Sequence, residues 1–450
     1  MMGGSGAGGA GEVFKQFRPF ECIKTRFTTH VFLRNAQYPT FMSRTRSNRE
    51  AFLTGSVATR SRAESGWLRI VWRTLCVAVV VSITALADDQ PPLELNTVLM
   101  QATVRLDGST ADGPKVATGF IMGRPIPNRP NRAQYVLITA NHVFDDVKSQ
   151  SVIMTTRKPN AAGGWERVSV NLPIRALVSR FRVRDPSNAQ VAKGGALAII
   201  YGVSRYDLKL TSDSLNGIRD AIQSLNLGLR AEILEDKAGL YLRVYIADPK
   251  VIAPIQLVRF STAPPEPLLS ETQLWTRHPT ADVAAMYIRL PNDVFQSILP
   301  TTLLADDQGL KEYGLHPGDE LDCLGYPLGA ESNLAGFPIL RSGKVASYPL
   351  LPTRETESFL MDFQVFGGNS GGPVYIAQAG GTRIIGGATQ LGFSFQVIVG
   401  LVSEEMIVTE QQRGLYERSE RQYPLKLAKV VHATLIHDTI ELLPPPSDAP

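Results

Sequence analysis

One hydroxyl in this 450-residue chain is set among glycines, in the stretch Gly367-Gly368-Asn369-Ser370-Gly371-Gly372-Pro373. Glycine reaches positive φ at no steric cost, so the stretch reads in two ways. It is a tight turn between strands, or it is backbone curled to aim two N–H groups at a point beside that hydroxyl. In the second reading Ser370 is a nucleophile, and the amides of Gly368 and Ser370 hold the oxygen of an attacked carbonyl. Such donors contribute about 10²–10³ each in rate, and a side chain at 368 would obstruct the curl. A nucleophilic serine needs a base, and histidine exchanges protons near neutrality. His142 ends the apolar pattern VLITANHV, where a buried strand meets a loop; taken alone it reads as readily as a core histidine. Asp282 stands just before the apolar run Val283 to Ile288. A carboxylate there would be partly desolvated and in need of a donor, which an imidazole could supply. It could equally be a turn residue, and Asp145, Asp146 and Asp207 compete for the role.

The blocks TANHV, ADVAAM and GGNSGGP, in the chain order His, Asp, Ser, resemble the three catalytic blocks of chymotrypsin-like serine proteases. α/β-Hydrolases run Ser, Asp, His, and subtilisins run Asp, His, Ser. The match is most similar to the bacterial trypsin-like, HtrA-type branch, through ATGFIM, LGYPLG, ILRSGKVAS, IIGGAT and GLVSEEM. The resemblance implies two packed six-stranded antiparallel β-barrels and peptide-bond hydrolysis through an acyl-enzyme. His142 would be the base, Asp282 its orienting acid, Ser370 the nucleophile, and Gly368 with Ser370 the oxyanion donors. It implies a polypeptide substrate and no metal or organic cofactor. Gln364 and the strand Gly386, Gly387, Ala388 and Thr389 would line the substrate pocket. No acidic residue stands in those positions, so a strong preference for Lys or Arg is not expected. Asn369 replaces the aspartate with which animal trypsins bind a freshly cut N-terminus, so activation would not need one. The alternative is a catalytically inactive protease-like domain that binds a peptide or partner.

These blocks must be carried by strands. From about Leu95 onward, short β-branched and aliphatic runs such as TVLMQATVRL, YVLITANHV, LYLRVYIA, VAAMYIRL and FLMDFQVF alternate with Gly, Pro, Asn and Asp. Many short strands without alternating helices predict an all-β sandwich or barrel. Helical spacing appears over 215–229 and over 424–443, the latter between Pro424 and Pro444–Pro446. The expected organisation is a first barrel part over 95–177, an insertion over 178–267, the remaining barrel strands over 268–410, and a C-terminal helix with a Pro-rich tail over 411–450. The insertion lies between base and acid, which makes it a candidate gate. The tail is too short for the C-terminal PDZ module of HtrA proteins.

With 44% hydrophobic and 20% charged residues the chain has the composition of a folded protein. Its formal charge of +4 is unevenly spread: 12 basic and 4 acidic residues precede Asp88, and 34 basic and 38 acidic residues follow. The part expected to fold is therefore slightly acidic, which argues against nucleic acid as a partner. Residues 1–87 read as a basic leader ending in a signal peptide. Arg69 and Arg73 precede the apolar run 75–87, which closes on Ala85-Leu86-Ala87. That run is shorter than the roughly 20 residues a bilayer needs, so no stable membrane span is expected in the mature chain. The expected location is periplasmic or extracellular, with a mitochondrial transit peptide as the minority alternative. After cleavage only Cys323 remains of three cysteines, so no internal disulfide can form.

Overall fold

The alternating runs become 22 strands in the computed structural model. It describes residues 94–446 apart from 128, 189, 261–263, 292–293, 295–298, 386–387 and 414–417. The leader over 1–87 lies outside the described residues. Helix Leu95–Ala102 leads into β1 (Thr103–Thr110), β2 (Gly113–Ile126) and β3 (Arg129–Thr139), and helix Asn141–Asp146 precedes β4 (Ser151–Pro159) and β5 (Trp165–Pro173). Then come β6 (Arg175–Ser179), β7 (Ala196–Tyr201), β8 (Ser204–Asp207), helix Leu215–Ser224, β9 (Leu229–Asp236), β10 (Gly239–Ile246), β11 (Ile255–Phe260), β12 (Glu266–Pro267) and β13 (Leu269–Gln273). The chain continues through β14 (Thr276–Arg277), β15 (Ala284–Tyr287), β16 (Leu299–Pro300) and helix Asp307–Tyr313. It ends with β17 (Glu320–Gly325), β18 (Ile339–Val345), β19 (Ser358–Asp362), β20 (Pro373–Ile385), β21 (Ala388–Arg413), β22 (Arg418–His432) and helix Ala433–Glu441.

The architecture is mostly β, but only one barrel closes among the described residues. Strands β17-β18-β19-β22-β21-β20 form a six-stranded closed barrel. The other expected barrel is an eight-stranded open sheet, β14-β15-β3-β2-β1-β4-β5 with β16 beside β2. Its two ends approach each other where Leu274 N–H donates to the Ile174 carbonyl at 2.9 Å. That contact is continued by β6 and β13, which pair with each other and lead away into the inserted unit. There they join β10 and β9 in one four-stranded sheet, while β12-β11-β7-β8 form another. Both sheets and helix Leu215–Ser224 pack on a separate apolar core that includes Leu177, Ile199, Ile218, Ile222, Val244 and Leu257.

Near the C-terminus the expected helix over 424–443 is shorter than its pattern. Residues 424–432 belong to β22, and only Ala433–Glu441 is helical. Ala428, Val430 and Val431 are buried where β22 pairs with β19 and β21. Without this strand the barrel would have a gap, so tertiary pairing overrides a pattern that fits either element. The sheet and the barrel are braced by Arg157. Its guanidinium is 1% exposed and donates to the carbonyls of Gly336 (3.1 Å), Met100 (2.8 Å) and Thr103 (2.6 Å) and to the Tyr326 hydroxyl (2.5 Å). A buried cation without a carboxylate is tolerated because each donor meets an oxygen.

Candidate active site

His142 begins where β3 runs out. The buried Val136, Leu137 and Ile138 end at Thr139 and Ala140, and His142 is the second residue of helix Asn141–Asp146. β15 pairs beside β3, with Ala284 opposite Thr139, so Asp282 arrives next to it. Asp282 Oδ2 lies 2.8 Å from His142 Nδ1, and Asp282 Oδ1 accepts the His142 backbone N–H at 2.9 Å. The competing carboxylates are held elsewhere. Asp145 accepts from Asn141 at 2.6 Å, Asp146 pairs with Lys115, and Asp207 pairs with Arg205.

Asp282 has a further donor that the sequence did not reveal: Ser403 Oγ, 2.6 Å from Oδ2. Burial pushes the Asp282 carboxyl up, but the hydrogen bond and charge of His142, with the Ser403 hydroxyl and the His142 amide, outweigh it and hold the pKa near 2. The carboxylate therefore stays ionised through any ordinary pH and can steady an imidazolium beside it. The signal for Ser403 lay in GLVSEEM, but a serine in a strand says nothing about the face on which its partner will appear.

Ser370 hangs between β19 and β20, and the loop is fixed from three sides. Thr118 in β2 donates its hydroxyl to Gly368 O at 2.6 Å and its N–H to Ser370 O at 3.0 Å. Gly371 N–H donates to Val402 O at 2.7 Å, one residue before Ser403. A Cβ on Gly371 would lie 2.1 Å from Thr118 O, 2.2 Å from Thr139 Oγ1 and 3.0 Å from Ala140 N. The residue after Ser370 is thus in backbone contact with the end of β3, two residues before His142. It is also bonded to the strand that holds Asp282. The Ser370 hydroxyl makes no hydrogen bond among the described residues, so Ser370 and His142 are not bonded to each other here.

Gly368 has φ +103°, and a Cβ there would sit 2.0 Å from Tyr326 O. Only glycine fits that conformation at that distance. The amides of the loop divide cleanly. Asn369, Gly371 and Gly372 donate to Phe366 O, Val402 O and Asn369 O, while Gly368 N–H and Ser370 N–H have no acceptor among the described residues. Two idle amides flanking one serine can accept a developing oxyanion.

The expected pocket residues separate. Gln364 lies in the segment entering the loop, its carbonyl accepting from Arg341 Nη1 at 2.8 Å while that guanidinium stacks over Phe363 (4.4 Å) and Phe366 (5.3 Å). Gly386 and Gly387 lie outside the described residues. Ala388 and Thr389 pair with Ile385 and Ile384 at the far tip of the β20–β21 hairpin, whose other end, Pro373 opposite Leu401, adjoins Ser370. At about 3.3 Å per residue, Thr389 is ~40 Å along the strand from that end. The strand beside Ser370 is instead Val402–Met406, a stretch the IIGGAT block gave no means of identifying. Past Val402, β21 pairs only with β22 among the described residues, leaving its other edge open.

The chain matches no family model and no curated protein. Among solved structures it is similar to a thermostable serine protease from an extremophilic microorganism (10% identity, 76% of this chain and 95% of that one, TM-score 0.27). It is also similar to the protease Anisep from Arthrobacter nicotinovorans (11%, 75% and 93%, TM-score 0.29) and to a scabies mite inactivated protease paralogue (10%, 77% and 98%, TM-score 0.29). These neighbours are a serine protease, a protease and an inactivated protease paralogue, all at low identity, and the chain's own geometry carries the reading of the site.

Proposed function

We propose that this protein is a serine endopeptidase of the chymotrypsin-like, HtrA-type branch. The observation that carries the reading is the pair of unoccupied amides, Gly368 N–H and Ser370 N–H, in a loop bonded to β2, the neighbour of the histidine strand, and to Val402, which adjoins the Ser403–Asp282–His142 chain. An extended substrate adds to the open edge of β21 beyond Val402, as peptides add to exposed strands elsewhere. That places its scissile carbonyl over Ser370. The hydroxyl turns to His142 Nε2, gives up its proton and attacks, and the carbonyl oxygen moves onto the two amides. His142 then returns the proton to the leaving amine, with Asp282 holding the ring in one tautomer and offsetting its positive charge. Water repeats the sequence to release the acid. Catalytic hydrogen bonds are often long before substrate binds, which fits the free Ser370 hydroxyl. Export through the segment ending at Ala87 is part of the same proposal.

A fluorophosphonate tests the reading directly. Stoichiometric labelling at Ser370 at neutral pH is the expected outcome. Failure to label at neutral pH would move the chain to the inactive, peptide-binding alternative.

A further inference from the structure

β6 and β13 pair from Arg175 opposite Gln273 to Ser179 opposite Leu269, making a five-residue ribbon between the inserted unit and the sheet. One end grips the histidine helix. The Arg175 guanidinium lies 5.0 Å over the Trp275 ring and donates to Phe144 O at 2.9 Å. Trp275 packs on Phe144 at 5.4 Å, and its Nε1–H donates to Asn141 Oδ1 at 3.1 Å, one residue before His142. The other end opens on a cavity of about 270 Å³, lined by Arg180 and Leu268, which directly flank the ribbon, and by Phe181, Val191, Lys193 and Arg259 among others. Arg180 and Lys193 have no acidic partner among the described residues. Arg259 pairs with Glu266 and donates to Val191 O at 3.0 Å, yet its buried Nε–H has no acceptor among the described residues. The loop that brings Lys193 is already fixed, because Asp213 accepts the amides of Ala192 (2.5 Å) and Lys193 (3.1 Å).

We propose that this cavity binds a monocarboxylate with an apolar body, and that its occupancy is transmitted along the ribbon to the helix bearing His142. Three cations against the single carboxylate of Glu266 favour an anionic ligand of low charge. The idle Nε–H calls for an oxygen acceptor, and Phe181, Val191 and Leu268 supply apolar wall. The volume falls just below the roughly 300–1,000 Å³ of sites for drug-sized ligands, so the ligand is small, either a free apolar acid or the last residue of a peptide. Calorimetric titration of the intact protein with octanoate, N-acetyl-leucine and inorganic phosphate separates these. One of the two carboxylates binds at least about tenfold more tightly than phosphate, and replacing both Arg180 and Lys193 by Ala weakens it by about tenfold or more. Failure of both carboxylates at millimolar concentration, phosphate binding as tightly, or an unaffected double variant would each overturn the site. Hydrogen exchange of residues 141–147 changes on binding if the ribbon transmits; unchanged exchange at saturation removes the coupling. None of these measurements requires proteolytic activity.

A second inference rests on the endopeptidase reading. Glu405 lies opposite Ala428 on β22, in the row that continues to Met361 on β19, and both of those side chains face the barrel core. Residues directly opposite share a face, and Glu404 accordingly points the other way, to Lys429 at 3.0 Å. Glu405 thus turns inward three residues past Val402, and its buried Oε1 has no partner among the described residues. The geometry points to Glu405 as the residue selecting a cationic side chain, Lys or Arg, on the acyl side of the cleaved bond. This reverses the expectation from the segment before Ser370. The test is a pair of peptides differing only in Lys or Gln at that position. Wild type favours Lys, and Glu405→Gln lowers the Lys:Gln ratio of kcat/KM by about thirtyfold or more. A ratio near one in the wild type, with Ser370 still labelled by fluorophosphonate, sinks this inference and spares the endopeptidase; absence of labelling sinks the endopeptidase itself.

Discussion

β17–β22 close on themselves, whereas β1–β5 with β14–β16 stop short of closure at the Leu274–Ile174 contact. The two halves deliver different things to the site. The open sheet supplies side chains, and His142 and Asp282 need only the adjacent ends of β3 and β15, which pair through four residues regardless of what happens at the sheet's far edges. The barrel supplies backbone. The Gly368 and Ser370 amides are aimed by carbonyls approaching at distances no side chain would permit, and such contacts demand a frame fixed on all sides. Closure is retained in the half that presents main-chain amides and relaxed in the half that presents side chains.

The largest test of that division is Ser370→Ala. Turnover should drop by about 10⁶, the scale seen on removing a triad nucleophile; a variant keeping a tenth of wild-type rate would end the assignment. Gly368→Ala strikes the backbone alone, leaving hydroxyl, imidazole and carboxylate in place. With Tyr326 O in the way, the loop must shift, and kcat should fall by about 10²–10³. Equal rates for the two proteins would mean that the idle amides carry no chemistry.

A third test compares how each half meets acid. His432, fully buried at the end of β22, has its pKa pushed down to about 4 by burial, against a smaller opposing pull from Asp307. The unfolded chain takes up that proton more readily, so the stability it contributes is complete above about pH 6.5 and lost as pH falls toward 4. The shift corresponds to roughly 3 kcal/mol. Urea midpoints at neutral pH and near pH 4.5 should differ less in His432→Gln than in wild type; the same loss in both would place the acid sensitivity elsewhere. The smallest effect should come from the open sheet. Leu274→Pro removes the donor to Ile174 and should cost about 1 kcal/mol, with fluorophosphonate labelling of Ser370 within about twofold of wild type. A tenfold fall in labelling would show that near-closure matters after all.

The His142–Asp282 contact could be anticipated from the sequence because each residue sits at an apolar strand's end. What could not be read was lateral. Ser403 reaches Asp282 and Glu405 turns inward because β21 lies beside Gly371 on one edge and β22 on the other, and no local pattern gives cross-strand neighbours. For the same reason the substrate wall was expected at Gly386–Thr389, of which Ala388 and Thr389 are carried away along a long hairpin. The 424–432 stretch misled because its apolar spacing suits a helix as well as a buried strand, and only the barrel's need for a sixth member decides. The insertion's position was legible from the length between His142 and Asp282, but its separate core and its effect on closure were not.

Arg175 and Gln273 face each other across β6 and β13, so the chain departs for the inserted unit and comes home within about 5 Å. Some hundred residues can therefore be excised and the cut healed with one or two glycines, or a different module spliced into the same doorway, without rerouting any strand of the host. A graft with such neighbouring stumps is one that recombination can add or exchange in a single step.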